Sequence, residues 1–378
     1  MAEPTLLRSI NMQAVLRTIR ENGPISRADV ARLTNLSRVT VSATVRILVQ
    51  QGYVRELPPV VTPTGKRAVP LEAARDLKHA IAAVADGEEL WVARVNLVGD
   101  PVRVVNRPAV RSGEELERAL AELVPEAQGG VEADAVMGLG VALTGIVDAA
   151  KGSVLFSRHL GYSHDPLAHR LSERLGGMPV TLENDVNAML LGEHLRHRRG
   201  DDRTTTIMLR LGQGVGGAIM MRGRLHHGNA HMAGEVSDLL TLGPLGGALT
   251  MEDALGGAEL LARLRSADPS ITGLSEVVSE RGRSRQTQAI IEDAQIRLNN
   301  TVLNICMLLA PDTVVVAGPG WAQDLLFDSL RDALSARLPV PVSVRFVTDP
   351  VRAALWGAAA VAFSSHPLTS PVPSVWAN

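Results

Sequence analysis

Glu183, Asn184 and Asp185 stand in a row within Leu182-Glu-Asn-Asp-Val-Asn-Ala188, where a strand-like apolar run gives way to a helix. Carboxylates and an amide at such a junction lie beside the unpaired N–H groups of the first helical turn, a common place for a polar ligand. The same residue types cap helices, so a ligand site and a cap fit the triplet about equally. A second stretch, Leu211-Gly-Gln-Gly-Val-Gly-Gly217, follows another strand-like run. Closely spaced glycines let a phosphate approach the backbone, and a tight β-turn leaves the same trace. His226, His227 and His231 follow; three histidines can ligate a metal, but their irregular spacing fits exposed or ligand-facing residues better. The one cysteine, Cys306, lies in an apolar helical run and reads as packing, which excludes a disulfide within the chain.

The elements that must position these residues alternate. Ala80–Val84, Leu90–Leu97, Ala135–Val141, Thr205–Leu211 and Thr313–Ala317 read as strands. Gly113–Leu123, Pro166–Leu175, Val186–His197 and Gln286–Leu309 read as helices. Such alternation predicts an α/β body, and its length predicts two lobes with a cleft. Hydrophobic content is 46% with only 3% aromatics, so the cores must be built from Ala, Val and Leu. No internal repeat is visible in the sequence. Neither a signal peptide nor a membrane-spanning apolar run is found, and a cytoplasmic protein without membrane contact is expected.

Ahead of this body lies a different segment. Ser26 and Ser37 stand where N-caps are expected, and Gly23-Pro24 stops the preceding helix. Ile19, Val30, Leu33, Val41, Val45 and Leu48 recur at helical spacing and predict a three-helix core. Pointing them inward turns Arg38, Thr40, Ser42 and Thr44 outward on the third helix, the element that enters the major groove in a helix-turn-helix. Arg38 can pair with guanine and the hydroxyls with phosphate or base edges; Arg27 and Ser37 complete this set of candidate contacts. Tyr53-Val-Arg-Glu-Leu57 and Ala68-Val-Pro-Leu71 predict a two-stranded wing whose tip carries Lys66 and Arg67 for phosphates. Residues 1–70 hold ten Lys or Arg against four Asp or Glu, a balance of +6; with a formal net charge of −2, the remainder carries −8. A basic head on an acidic body points to a polyanion such as double-stranded DNA.

Taken in order, the winged head with Thr64-Gly-Lys-Arg67, Gly138-Leu-Gly-Val-Ala-Leu-Thr-Gly-Ile-Val-Asp148, the Glu-Asn-Asp-Val-Asn-Ala block, the glycine loop, Gly234-Glu235 and Pro311-Asp-Thr-Val-Val-Val-Ala-Gly318 resemble the ROK family of repressors, open reading frames and sugar kinases. The resemblance covers nearly the whole chain. It implies an α/β fold, a winged helix-turn-helix followed by a two-lobed actin-like, sugar-kinase-like (ribonuclease H-like) domain. The expected domains are residues 1–74 for the DNA-binding head, 75–185 for the first ROK lobe, and 186–378 for the second, with a C-terminal helix returning to the first. In the family's kinases the residue matching Asp185 is the base on the sugar hydroxyl and that matching Asn184 holds a neighbouring hydroxyl. Glu235 and Glu252 match sugar-binding glutamates, and His159 stands where an asparagine is common. These five are the candidate ligand-binding residues, a set suited to a polyol.

The chain departs from the family in two places. The kinases' Asp-x-Gly-x-Thr turn is replaced by Ala83-Val-Ala-Asp-Gly-Glu-Glu-Leu90, which puts Val84 at the aspartate, Asp86 at the glycine and Glu88 at the threonine, while Gln213 replaces a threonine of the glycine loop. Kinase activity is expected to be lost, leaving no catalytic residue and Asp185 as a vestigial base. Zinc in the family is held by a histidine two residues after the Glu235 position and three cysteines about a dozen residues on; here Ser237 and the cysteine-free Thr241-Leu-Gly-Pro-Leu-Gly-Gly-Ala-Leu-Thr250 stand there. No metal or cofactor is therefore expected. The resemblance implies a DNA-binding regulator, a repressor, on an inverted-repeat operator as a homodimer or homotetramer. Its effector would be a sugar, amino sugar or sugar phosphate. An active sugar kinase with a DNA-binding head, and a regulator without a small-molecule ligand, are the alternatives.

Overall fold

Ser26 and Ser37 each open a helix. In the computed structural model, which describes residues 3–61, 67–197, 204–278 and 284–364, Ser26 Oγ accepts from Asp29 N at 3.2 Å and Ser37 Oγ from Thr40 N at 3.1 Å. These caps start α2 (Arg27–Thr34) and α3 (Arg38–Gln50), which follow α1 (Glu3–Asn22) and the short β1 (Ile25–Ser26). Ile19, Val30, Val41, Val45 and Leu48 are buried in the core between the three helices. Leu33 is not, at 49% exposed; α2 has only two turns, and Val30 and Ala31 form its buried side.

The predicted wing divides into two pairings. β2 (Val54–Glu56) lies antiparallel to β5 (Pro70–Ala73), which also pairs with β1, while β3 (Val60–Val61) and β4 (Arg67–Ala68) pair with each other further out. Lys66 lies outside the described residues.

The chain divides into two compact units, Met1–Ala188 with Ala354–Asn378, and Met189–Ala353. Beyond the head, the first unit holds β6 (His79–Ala85), β7 (Glu89–Asn96), β8 (Pro101–Pro108), α4 (Gly113–Gln128), β9 (Val136–Leu143), β10 (Ile146–Asp148), β11 (Ser153–Ser157), β12 (Tyr162–Asp165), α5 (Leu167–Arg174), β13 (Val180–Asn184) and the start of α6 (Asp185–His197). Its main sheet has the order β13-β9-β6-β7-β8, with β6, β9 and β13 parallel and β7 and β8 antiparallel.

The second unit holds β14 (Thr205–Leu211), β15 (Val215–Met221), β16 (Arg224–Leu225), β17 (Leu240–Leu242), β18 (Ala248–Thr250), α7 (Met251–Leu255), α8 (Gly257–Ala267), α9 (Leu274–Val277), α10 (Arg285–Leu309), β19 (Thr313–Ala317), α11 (Gly320–Ala322), α12 (Asp328–Arg337) and β20 (Ser343–Val347). Its sheet order is β16-β15-β14-β19-β20, again three antiparallel strands followed by two parallel additions. The two sheets thus repeat one topology that the sequence does not display. α10 packs Ile290, Ile291, Ala294, Leu298, Val302 and Cys306 into the second core.

The chain leaves the first unit within α6 and re-enters it within α13 (Pro350–Ser364). These helices touch backbone to backbone, since a Cβ on Gly357 would lie 1.7 Å from Ala188 O. Among the described residues no helix is long and apolar enough to cross a membrane.

Candidate functional site

On the head, α3 buries Val41, Thr44, Val45 and Leu48, the positions that share one side at about 100° per residue. This corrects the expectation for Thr44. At 6% exposed it lies in the core stripe between Val41 and Leu48 and cannot reach DNA. Arg38 and Ser37 are exposed, and Thr40 and Ser42 are half-buried. The Ser37 and Thr40 hydroxyls are 2.9 Å apart and hold each other at the cap. Arg27 is half-buried and ion-paired with Glu56 of β2, so its charge ties α2 to the wing sheet. Arg67 is exposed on β4.

Two neighbours on the open face of α3 were not singled out from the sequence. Arg46, exposed, continues the line of Arg38 and Ser42 at four-residue steps, and Val39 is 81% exposed. Helical spacing alone held the signal for both.

In the body of the first unit, the carboxyl ends of β13, β9 and β6 carry the polar residues. Asn184 is committed to the fold: its Oδ1 accepts from Val186 N at 2.9 Å and Asn187 N at 3.0 Å, and its Nδ2 donates to Gly145 O at 3.1 Å. It is the N-cap of α6. Glu183, buried behind it, accepts from Asn184 N and from Asn187 Nδ2 at 2.9 and 3.1 Å. Asp185 is buried at the first position of α6, where the helix N-terminus stabilises its negative charge. His159 is exposed, with Nε2 donating to Val110 O at 3.1 Å. At the turn between β6 and β7, Asp86 Oδ1 accepts from Glu88 N at 2.9 Å and Glu89 N at 3.1 Å. Two amides of this turn thus already have a carboxylate.

In the second unit, the glycine loop leaves β14 at Leu211 and re-forms as β15 at Val215. Glu252, near the start of α7, accepts from Val215 N through Oε2 at 2.7 Å. Burial pushes the Glu252 carboxyl above the ordinary range, against the lowering effect of that hydrogen bond. Glu252 N in turn donates to Ser237 O at 3.0 Å, which joins this end of α7 to the segment after Glu235. Glu235 is exposed beside an apolar cavity of about 240 Å³ bordered by Met232, Leu239, Ile305, Leu308 and Leu309. The second unit therefore brings Glu252 to the glycine loop and links it to the Glu235 segment. His159, Asn184 and Asp185 belong to the first unit.

Residues 79–363 match the ROK family. The chain belongs to that family. Residues 14–68, ahead of the ROK body, match the MarR family, in keeping with the winged head. The chain is 26% identical over 361 residues to the xylose repressor of Caldicellulosiruptor bescii, covering 89% of this chain and 90% of that one. It is 25% identical over 244 residues to the DNA-binding transcriptional dual regulator NagC of Escherichia coli, 64% of this chain and 59% of NagC. Among solved structures, a ROK family transcriptional regulator homologous to the E. coli MLC protein superposes with a TM-score of 0.78 at 19% identity, over 98% of this chain and 99% of that one. A ROK glucokinase from Streptomyces griseus in complex with glucose and AMPPNP superposes with a TM-score of 0.63 at 23% identity, covering 74% and 98%.

For a ROK protein, the zinc segment is the feature to test against this geometry. Ser237 offers no nitrogen ligand, and Thr241–Thr250 offers no thiolate. The Arg297 guanidinium donates to the carbonyls of Thr241 and Gly246, both at 2.9 Å, so a fixed positive charge lies against this segment. Among the described residues no three His, Cys, Asp or Glu side chains converge as a metal set; His227 and His231 stand 6.2 Å apart, ring to ring. The donor set does not fit the family's zinc.

Proposed function

We propose that this ROK protein is a transcriptional repressor that binds double-stranded DNA through α3 and the wing, and that its ROK body binds a sugar, amino sugar or sugar phosphate without phosphorylating it. One observation carries the split between sensing and catalysis. In each of the two backbone turns suited to nucleotide phosphates a carboxylate already accepts from the backbone, Asp86 from Glu88 N and Glu89 N on the β6–β7 turn and Glu252 from Val215 N. A carboxylate about 4 Å from a phosphate charge would be unfavourable by about 4 kcal/mol at an effective dielectric near 20. Asp185 then has no phosphoryl group to direct a hydroxyl toward.

The regulatory half rests on the open face of α3, with Arg38, Ser42 and Arg46 in line, and on near full-length similarity to a protein named as a xylose repressor. One winged head covers one half-site, so an inverted repeat calls for a homodimer or homotetramer. Exposed Met232, Leu239 and Leu308 around the second-unit cavity supply apolar surface for such association. A DNA target is in keeping with a cytoplasmic protein.

Gel-shift titration on operator DNA with xylose, glucose, N-acetylglucosamine, N-acetylmannosamine and their phosphates tests the reading. One member of the panel is expected to change affinity about 5- to 150-fold, the range of a coupling of about 1 to 3 kcal/mol. No change across the panel would reject the sensor. Sugar-dependent ADP formation that vanishes in Asp185→Asn would reject the loss of catalysis.

A further inference from the structure

Arg297 and Asp293 are among the most deeply buried charges of the second unit, their side chains 1% and 0% exposed, one turn apart on α10. A buried guanidinium is tolerated only when its nitrogens find acceptors, and here Nε, Nη1 and Nη2 each do. Nε donates to Asp293 Oδ2 at 2.8 Å. Nη1 donates to Thr241 O at 2.9 Å and Gly247 O at 3.2 Å, and Nη2 to Gly246 O at 2.9 Å. Asp293 completes the grip from the other side, its Oδ1 accepting from Leu245 N at 3.1 Å. Every one of these loop partners lies in Thr241–Gly247, within the stretch where the family's zinc cysteines would stand.

The loop sequence is shaped for this grip. A Cβ on Gly243 would lie 2.3 Å from Asp293 Oδ1 and 2.6 Å from Arg297 Nε, so only glycine passes between the loop and the ion pair. Gly246 and Gly247 take φ of 80° and 70°, the left-handed region that glycine enters without strain. The grip also reaches Glu252. β17 and β18, which flank the held turn, pair from Leu242↔Ala248 to Leu240↔Thr250, and β18 runs directly into α7. Arg263 of α8 donates to Asp293 Oδ2 at 2.6 Å and to Ala254 O, in α7, at 3.0 Å.

We infer that Arg297, Asp293 and Arg263 form a metal-free clamp that fixes Thr241–Gly247 in place of the family's zinc and, through β18 and α7, positions Glu252 against Val215 N. A zinc ion ties four side chains to one point; a guanidinium ties several carbonyls to one plane, because its five N–H groups form a rigid fork. Lysine has the charge without the fork. The clamp is a property of the unliganded protein and holds or fails independently of which effector binds.

Hydrogen exchange on the full-length protein tests it. Wild type should keep protection at Leu245 and Val215 unchanged after exhaustive dialysis against EDTA, and metal analysis should find no stoichiometric zinc. Arg297→Lys should speed exchange at both amides about tenfold or more while β6, β7 and β9 of the first unit keep their rates. Asp293→Asn should do the same at Leu245. Bound zinc whose removal exposes Leu245 would overturn the clamp, and so would an Arg297→Lys protein with unchanged exchange at both amides. A uniform rise across both units would leave Arg297 as an ordinary core residue and reject its positioning role. If neither variant folds, the EDTA and metal measurements on wild type decide.

Discussion

Asn184 shows how one side chain can satisfy two readings of a sequence. Its amide is spent on the first turn of α6 and on Gly145 O, so in this structure the cap is what it provides, and a sugar hydroxyl would have to compete for it. Arg38 and Arg67, both proposed to contact DNA, differ in where they stand. Arg38 stands exposed at the first turn of α3, the end that enters the major groove in a helix-turn-helix, whereas Arg67 lies on the outer wing pair. Arg38→Ala should cost about 1 to 3 kcal/mol on operator DNA and relax preference at one base pair, while Arg67→Ala should weaken operator and random DNA alike. Affinity measured on both DNAs at fixed salt separates them; equal losses on both in Arg38→Ala would remove it as a base reader.

At the scale of elements, α10 sets the second unit, carrying its core on one side and the Asp293–Arg297 pair toward the β17–β18 turn. Burial pushes the Asp293 carboxyl up, but hydrogen bonds from Arg297, Leu245 and Arg263 outweigh it and hold the group below the usual carboxylate range. A depressed carboxylate contributes stability that is present above the unfolded value and lost as pH falls through the folded one. Wild type should therefore be more stable than Asp293→Asn at neutral pH, with the two thermal midpoints converging as pH drops below about 4. A constant gap down to pH 2 would show that the Asp293 charge is not the source. Helix α3 makes the complementary point: its period puts Thr44, three residues after Val41, with the core, while Ser42, one residue after Val41, is only half-buried.

At the scale of the molecule, the head is joined to the first ROK lobe by only a few residues after β5, and side chains reinforce the joint. Arg20 of α1 lies over the Trp356 ring of α13 at 5.6 Å, Arg75 pairs with Asp100 at 4.0 Å, and Trp356 fills the space beside Gly99. α13 thus touches the head after carrying the chain back from the second unit. Trp356→Ala should cost about 3 to 5 kcal/mol, as expected for a large aromatic removed from a core, and should speed protease cleavage between residues 73 and 79. Unchanged cleavage there would mean that the head is held without Trp356.

The sequence by itself determined the winged head, the α/β body and the ends of its strongest elements. Thr205–Leu211 and Thr313–Ala317 match β14 and β19, because continuous runs of buried apolar residues declare themselves. β8 was missed because most of its residues are exposed and no apolar alternation marks it. The repeated sheet order of the two units was also hidden, since it is a property of pairing and not of residue type. Local chemistry showed that zinc ligands were absent. Only the tertiary structure showed what stands in their place, because Arg297 is 50 to 56 residues from the carbonyls it grips, and only folding brings a distant guanidinium to them.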